Sequence, residues 1–239
     1  QARPVPALNQ TLAQVVEQRS AFLQDYQDQR YAARYRALVE KVVQATAGLG
    51  DSTLVHAVAQ NLFKLMAFKD EYEVARLHSS PAFLQSLGEA FVGRPKVTFH
   101  LAPPLLDGFR KKGAAEPRKI KVSNWVIPLF RALAGLRFLR HTAFDPFALL
   151  KERREERRLL AEYQSTLLSL LPKLTAETLP LVLSWARLPE SIRGYGHVKA
   201  RSIASAQQRQ AELLAQINGG PLERAAVRRI AVVEVEKAY

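Results

Sequence analysis

Two glycines stand immediately before a predicted helix in the segment Ile192–Lys199, an arrangement that can bind phosphate. The candidate phosphate-binding residues are Gly194, Gly196, His197, Lys199 and Arg201. Backbone amides and the helix dipole at such an N-terminus attract an anion, and cations in the first turns add to that attraction. The competing interpretation is a turn between helices whose glycines supply positive φ angles. A lone G-x-G pattern is weak, and it favours the turn.

A second candidate is a stripe of charged residues that continues an apolar helix face. Asp51–His78 is predicted as one long amphipathic helix, because apolar residues recur three and four positions apart. The stripe then runs through charged positions, and a later helix places two arginines between Leu149 and Leu160. The predicted polar cluster consists of Lys69, Asp70, Glu73, Arg76, Arg153 and Arg157.

Charged side chains lie on a buried face only when they are paired. Glu73 comes four residues after Lys69 and three before Arg76, so the three can pair along one helix. Because two helices place charged residues on their apolar faces, we expect an ion network between them in which Glu73 bridges to Arg153 or Arg157. The alternative leaves this face open as a docking surface for another domain.

Basic residues also concentrate in a predicted β-hairpin near residues 96–123, whose strands are joined by a long loop with prolines and glycines. The basic loop comprises Arg110, Lys111, Lys112, Arg118, Lys119 and Lys121. The chain has 35 Lys and Arg against 22 Asp and Glu, a net charge of +13. This charge favours an anionic partner: nucleic acid, a phosphate-bearing cofactor or an acidic protein.

Several kinds of chemistry are excluded or disfavoured by composition and spacing. The chain has no cysteine, which excludes disulfides, thiolate catalysis and cysteine-ligated iron–sulfur or zinc sites in these residues. Its five histidines stand singly on separate elements, so no metal site is predicted. No P-loop, nucleophile-elbow or dinucleotide-binding motif is present, and no catalytic residue is predicted. The lack of cysteine also fits a reducing setting, so we expect a cytoplasmic location.

The elements that must position these residues are predominantly helical. We predict a mainly α fold of seven to eight helices around the central amphipathic helix, with one small antiparallel β-hairpin. Residues 1–8 are predicted as a tether, 9–217 as a single helical domain and 218–239 as a C-terminal extension. No apolar run is long enough to span a membrane. The chain begins with Gln1, so we expect a segment of a longer protein.

Helix boundaries are predicted from capping and breaking residues. The apolar pattern from Asn9 to Ala47 is too long for one straight helix, so a break is expected near Asp28–Tyr31. Ser80 followed by Pro81 predicts a helix start, and Asp145 followed by Pro146 predicts another.

Five blocks of this sequence, taken in order, resemble the C-terminal helical domain of the fused indolepyruvate ferredoxin oxidoreductases. The blocks are Asn61–Leu77, Phe99–Leu106, Phe144–Phe147, Glu152–Arg158 and Ile192–Lys199, and the resemblance extends over roughly Ala21–Leu214. That family belongs to the thiamine-diphosphate-dependent 2-oxoacid:ferredoxin oxidoreductases.

The resemblance implies a parent enzyme that oxidatively decarboxylates an aryl pyruvate to an acyl-coenzyme A and reduces ferredoxin. Thiamine diphosphate, iron–sulfur clusters and coenzyme A are implied for the parent, and no cofactor is expected in this chain. No catalytic residue carries over. We therefore expect a non-catalytic accessory domain that packs against the catalytic domains, with the basic loop available to ferredoxin or coenzyme A.

The alternative function is a basic, helical nucleic-acid-binding module. The net charge favours it, but no helix-turn-helix or RNA-binding motif is present, and the aromatic residues follow core spacing. Nucleic acid is therefore the less favoured partner.

Overall fold

The computed structural model describes residues 10–91, 96–101, 120–140, 142, 144–194 and 196–219. These residues form a mainly α structure with one two-stranded antiparallel sheet, which confirms the predicted fold class. The elements are α1 (Leu12–Tyr26), α2 (Gln29–Thr46), α3 (Thr53–Met66), α4 (Glu71–Ser79), α5 (Pro81–Ala90), β1 (Phe99–Leu101), β2 (Ile120–Val122), α6 (Ile127–Gly135), α7 (Lys151–Leu170), α8 (Leu179–Ala186) and α9 (Gly196–Ile217). The described part thus has nine α-helices, more than the seven to eight predicted.

The additional helix arises because Asp51–His78 is two helices and not one. The chain leaves helical conformation after Met66, and Asp70 starts α4 by accepting a hydrogen bond from the backbone amide of Glu73 at 2.8 Å. Aspartate is a favoured N-cap because its carboxylate satisfies amides that lack a partner in the first turn. Apolar periodicity continues across this break, and for that reason it did not reveal the break.

The main core is built around α3, which packs against α1, α2, α7 and α8. Leu54, Val58 and Leu62 on α3 are fully buried, as is Trp185 on α8. Buried tyrosines bond to backbone carbonyls: Tyr35 donates to Ala59 at 3.0 Å. The core can therefore hold large polar aromatics, because each hydroxyl has an acceptor.

A smaller core joins α4 to the hairpin and α6. Ala75, Phe99, Val126 and Phe130 are buried together, and the ring of His78 contacts two of these phenylalanines. In the sheet, Phe99 pairs with Val122 and Leu101 with Ile120. This second core holds α6 against α4, which matters for the surfaces described below.

The predicted helix boundaries have mixed outcomes. The break near Asp28 and the start at Ser80–Pro81 are confirmed, since Asp28 and Ser80 each cap the following helix through their side chains. The start at Asp145–Pro146 is wrong, because α7 begins at Lys151. The Asp145 carboxylate instead accepts hydrogen bonds from the Tyr72 hydroxyl at 3.1 Å and the Phe147 amide at 3.0 Å.

Within the described ranges, no helix is both long and apolar enough to cross a membrane. The tether 1–8 and nearly all of the extension 218–239 lie outside the described residues.

The buried tyrosines predict a loss of stability at alkaline pH. Burial raises the pKa of Tyr31, Tyr35 and Tyr163, and that of Tyr35 reaches about 12. Unfolded tyrosine ionises near pH 10.0, so above that pH the unfolded state releases protons that the folded state retains. The contribution of Tyr35 to the free energy of unfolding is therefore fully present below about pH 10, and it is lost as the pH rises toward about 12.

Urea unfolding followed by circular dichroism between about pH 8 and about pH 11.5 measures this effect. Tyr35→Phe should lower stability at neutral pH, because a buried hydrogen bond is lost, yet show a shallower decline above about pH 10. A free energy of unfolding that stays constant across this range would contradict the prediction.

Candidate functional site

Arg140 is one of the most completely buried charges in the described structure, and it follows the 3-10 turn Leu136–Leu139 after α6. Its side chain is 2% exposed, and it forms a two-point ion pair with Asp70 through Nε–Oδ2 at 2.6 Å and Nη2–Oδ1 at 2.8 Å. Its Nη1 donates to the backbone carbonyl of Tyr26. Bidentate pairing of this kind is the geometry that best offsets the cost of burying both charges.

Aromatic rings enclose this pair. The guanidinium carbon of Arg140 lies 3.7 Å from the centroid of the Tyr26 ring and 5.4 Å from that of Tyr72. The Tyr26 hydroxyl donates to Asp70 at 3.2 Å, and the pKa of Tyr26 is raised by burial and by the Asp70 charge. Burial alone would lower the pKa of Arg140, but the hydrogen bond to Asp70 keeps it above its ordinary value. The guanidinium of Arg140 is therefore charged although it is shielded from water.

A second set of ion pairs connects α4, α7 and α9. Arg153 Nε lies 3.4 Å from Glu71 Oε2 without forming a hydrogen bond, and Arg153 Nη1 donates to Glu156. Glu156 also accepts from Lys199 Nζ at 2.7 Å. Burial raises the pKa of Glu71, and the charge of Arg153 opposes that shift. These contacts connect helices that are far apart in sequence.

The predicted polar cluster is only partly assembled as expected. Glu73 is buried, but its carboxylate pairs with Arg76 of the same helix at 2.8 and 2.9 Å. The predicted bridge from Glu73 to Arg153 or Arg157 is therefore wrong. Because α4 starts separately at Asp70, Glu71 is the residue that contacts Arg153. Arg157 donates to the carbonyl of Ala148, and Lys69 is exposed in the break between helices.

Arg140 was missing from the sequence prediction. Its partner is 70 residues away, and the apolar segment before it gives no periodic signal that an arginine would be buried.

Gly194 precedes α9, and the other phosphate candidates lie in its first two turns. Gly194 and Gly196 have φ angles of 88° and 53°, and a Cβ on Gly194 would lie 2.7 Å from Cγ1 of Val198. The ammonium of Lys199 is occupied by Glu156, while His197 and Arg201 are exposed. This geometry supports the turn interpretation, since one of the expected phosphate ligands is already paired and the glycines are needed by the backbone.

The basic loop is represented by a single residue in the described structure. Lys121 is exposed on β2, and Arg110, Lys111, Lys112, Arg118 and Lys119 lie outside the described residues. In the same described ranges, no group of three or more His, Cys, Asp or Glu side chains is placed to hold a metal ion.

Six large apolar side chains between Trp125 and Leu149 are exposed to solvent, on α6 and on the segments that flank it, and the sequence analysis did not identify them. Trp125 is 69% exposed, Leu129 58% and Phe138 64%. The whole surface comprises Trp125, Leu129, Leu136, Phe138, Phe144 and Leu149. The available signal was a helix that is apolar on both sides: Phe130 faces the core while Leu129 faces outward. We call these six residues the apolar surface.

The described residues thus define a helical domain with buried ion pairs between its helices and an apolar surface outside. The chain belongs to a family of unknown function, DUF6537, whose profile matches residues 12–212. A search of curated proteins found no match, and neither did a search of solved structures.

The buried ion pair predicts a large effect when only one partner is removed. Arg140→Met would leave Asp70 charged and buried, which should lower the free energy of unfolding by about 3–5 kcal/mol. The double variant Asp70→Asn with Arg140→Met should cost less than the sum of the single variants, because no charge is then stranded.

Arg36→Met is the control, because Arg36 pairs with Glu17 at the surface and donates to the Ser20 hydroxyl at 2.7 Å, so its loss should cost no more than about 1–2 kcal/mol. Urea denaturation of these four variants (Arg140→Met, Asp70→Asn, the double variant and Arg36→Met), each compared with the unmodified chain, checks both expectations. Equal costs for the Arg140 and Arg36 variants would rule out a stabilising role for the buried pair.

Gly194 and Gly196, at the start of α9, are expected to respond differently to the same substitution. Gly194→Ala adds a Cβ in contact with Val198 and forces alanine into positive φ, so we expect a loss of at least about 1–3 kcal/mol. Gly196→Ala meets no atom within 4 Å and should show only the smaller backbone cost. Thermal unfolding of both variants measures the difference, and a Gly196 variant that is the less stable one would contradict this geometry.

Proposed function

We propose that this chain is a non-catalytic accessory domain of an indolepyruvate-type 2-oxoacid:ferredoxin oxidoreductase, located in the cytoplasm. It would pack against the catalytic domains, which would hold the thiamine diphosphate, the iron–sulfur clusters and the coenzyme A site. The parent reaction would be the oxidative decarboxylation of an aryl pyruvate to an acyl-coenzyme A with reduction of ferredoxin. The sequence blocks that resemble this family carry the choice of parent enzyme.

The observation that carries the proposed role is the apolar surface. Trp125, Leu129 and Leu136 follow one another at intervals of four and seven residues, the spacing of residues on one helix face, and exposed apolar patches mark interaction sites in folded proteins. Trp125 is 69% exposed and Phe144 is 82% exposed, fractions at which neither ring contributes much to the folded core. Tryptophan is also among the residues that contribute most to protein–protein affinity. A catalytic domain is the occupant that the family resemblance favours for this surface.

The basic loop has a separate proposed role within the parent enzyme. Ferredoxins are typically acidic and coenzyme A carries phosphates, so a cationic loop would speed the encounter with either. Lys121 is the one member described here, and it is exposed.

Nucleic-acid binding is the second candidate, and the net charge is its support. The start of α7 is rich in arginine, but these arginines are already paired: Arg153 with Glu156, and Arg158 with Glu155 and Glu162. This pairing weakens the nucleic-acid alternative. Paired guanidiniums contribute less to phosphate binding, which depends on net positive charge along the contact.

The reading frame upstream of Gln1 is the first check on the parent enzyme. A thiamine-binding domain and a cysteine-rich, ferredoxin-like segment are expected there, and their absence would contradict the proposal.

The docking role is tested with the catalytic domains produced separately from this chain. The chain should bind them, and Trp125→Ala should weaken binding by at least about tenfold, as removal of a central interface residue does. Leu168→Ala is the control, because Leu168 is 41% exposed on α7 and is not part of the apolar surface. Trp125 fluorescence should also shift to shorter wavelength on binding, since Trp185 is already buried. Unchanged affinity in the Trp125 variant would reject docking through this surface.

A further inference from the structure

An open groove of about 430 Å³ lies between the end of α4, the start of α5 and the second half of α6. Asp25 at the end of α1 contributes to its wall, together with Arg76, Ser80, Pro81, Arg131 and Arg137. A volume of this size is within the range of small-molecule sites. The groove is separate from the apolar surface, with which it shares no lining residue.

Two of the three arginines in the groove are available to a ligand. Within the part of the chain that the structure describes, neither Arg131 nor Arg137 has a carboxylate at ion-pair distance, and Nε of Arg137 donates only to the carbonyl of Gln27 at 3.4 Å. Arg76 differs, because Glu73 already binds two of its nitrogens. The positive charge of the groove therefore comes mainly from Arg131 and Arg137.

Ion pairing within the fold does not explain these two arginines. The arginines that connect elements of this fold pair with carboxylates, as Arg140 does with Asp70 and Arg153 does with Glu71 and Glu156. The residues that line the groove include three arginines, of which Arg76 is paired with Glu73, and Asp25 as an acid. The groove therefore carries net positive charge, which a bound anion would offset.

The start of α5 adds to the positive potential. Ser80 caps this ten-residue helix by accepting a hydrogen bond from the Phe83 amide at 3.2 Å, and Ser80 and Pro81 both line the groove. The positive end of the helix dipole therefore lies at the groove wall, where it favours an anion. This contribution is secondary to the two guanidiniums, which carry full charges.

We propose that the groove binds the phosphate group of a small phosphorylated molecule. Guanidinium groups match phosphate oxygens with paired hydrogen bonds, and a dianion gains more from two cations and a helix N-terminus than a carboxylate does. The groove has room for an organic part beyond the phosphate, and the Asp25 carboxylate at its wall can accept a hydrogen bond from a hydroxyl group. This inference rests on the groove alone and is independent of the proposed accessory role.

The test uses isothermal titration calorimetry of the 239-residue chain with phenyl phosphate, and with benzoate at the same ionic strength. Phenyl phosphate should bind with a Kd below about 1 mM and more tightly than benzoate. Arg131→Gln should weaken phenyl phosphate binding by at least about tenfold, because a charge-assisted hydrogen-bond pair is lost. Arg131 is exposed, so this variant should fold normally, and circular dichroism verifies that.

Arg154→Gln is the matched control, because Arg154 is exposed on α7 and lies outside the groove. It removes the same charge and should leave the affinity for phenyl phosphate unchanged. Arg137→Gln provides a second groove variant and should behave like Arg131→Gln. Equal losses in the Arg131 and Arg154 variants, equal affinity for phenyl phosphate and benzoate, or no binding by the unmodified chain would each overturn the proposal.

Discussion

The guanidinium of Arg140 can stay charged inside this protein because Asp70 binds it at two points and Tyr26 accepts its remaining contact through a backbone carbonyl. This requirement ties together three parts of the chain: the end of α1, the start of α4 and the turn that follows α6. Removing any one of them would leave a charge in a medium that solvates it poorly. The main effect of the pair is therefore to fix these three segments relative to one another, and its net contribution to the free energy of unfolding is secondary.

Asp70 serves this constraint and α4 at the same time. Its Oδ1 accepts from the Glu73 amide and from Arg140, so the N-cap of the helix and the ion pair use one carboxylate. The break between α3 and α4 is necessary for this cap, since a residue inside a continuous helix cannot cap it. The same carboxylate thus starts α4 and anchors the segment after α6.

Local chemistry allowed much of the fold to be predicted from the sequence. Ser80–Pro81 was recognised as a helix start because the cap and the proline act on adjacent residues. The break at Asp70 was not, because it follows Leu65, Met66 and Ala67, which are good helix formers, with no glycine or proline nearby. The break is marked by the N-cap that Asp70 makes to the Glu73 amide and by the ion pair of Asp70 with Arg140, and neither interaction leaves a trace in apolar periodicity. For the same reason Glu71, and not Glu73, proved to be the residue that contacts α7.

The proposed docking surface and the proposed phosphate-binding groove use opposite sides of α6. Arg131 comes two residues after Leu129, which places it about 200° around the helix axis. Phe130 lies between them in sequence and packs into the smaller core together with Ile127, Leu133 and Ala134, while Arg140 anchors the chain beyond the end of the helix. These contacts set the orientation of α6, and a rotation of the helix would move Leu129 and Arg131 together. The Asp70–Arg140 pair therefore helps to fix which residues α6 presents on each side.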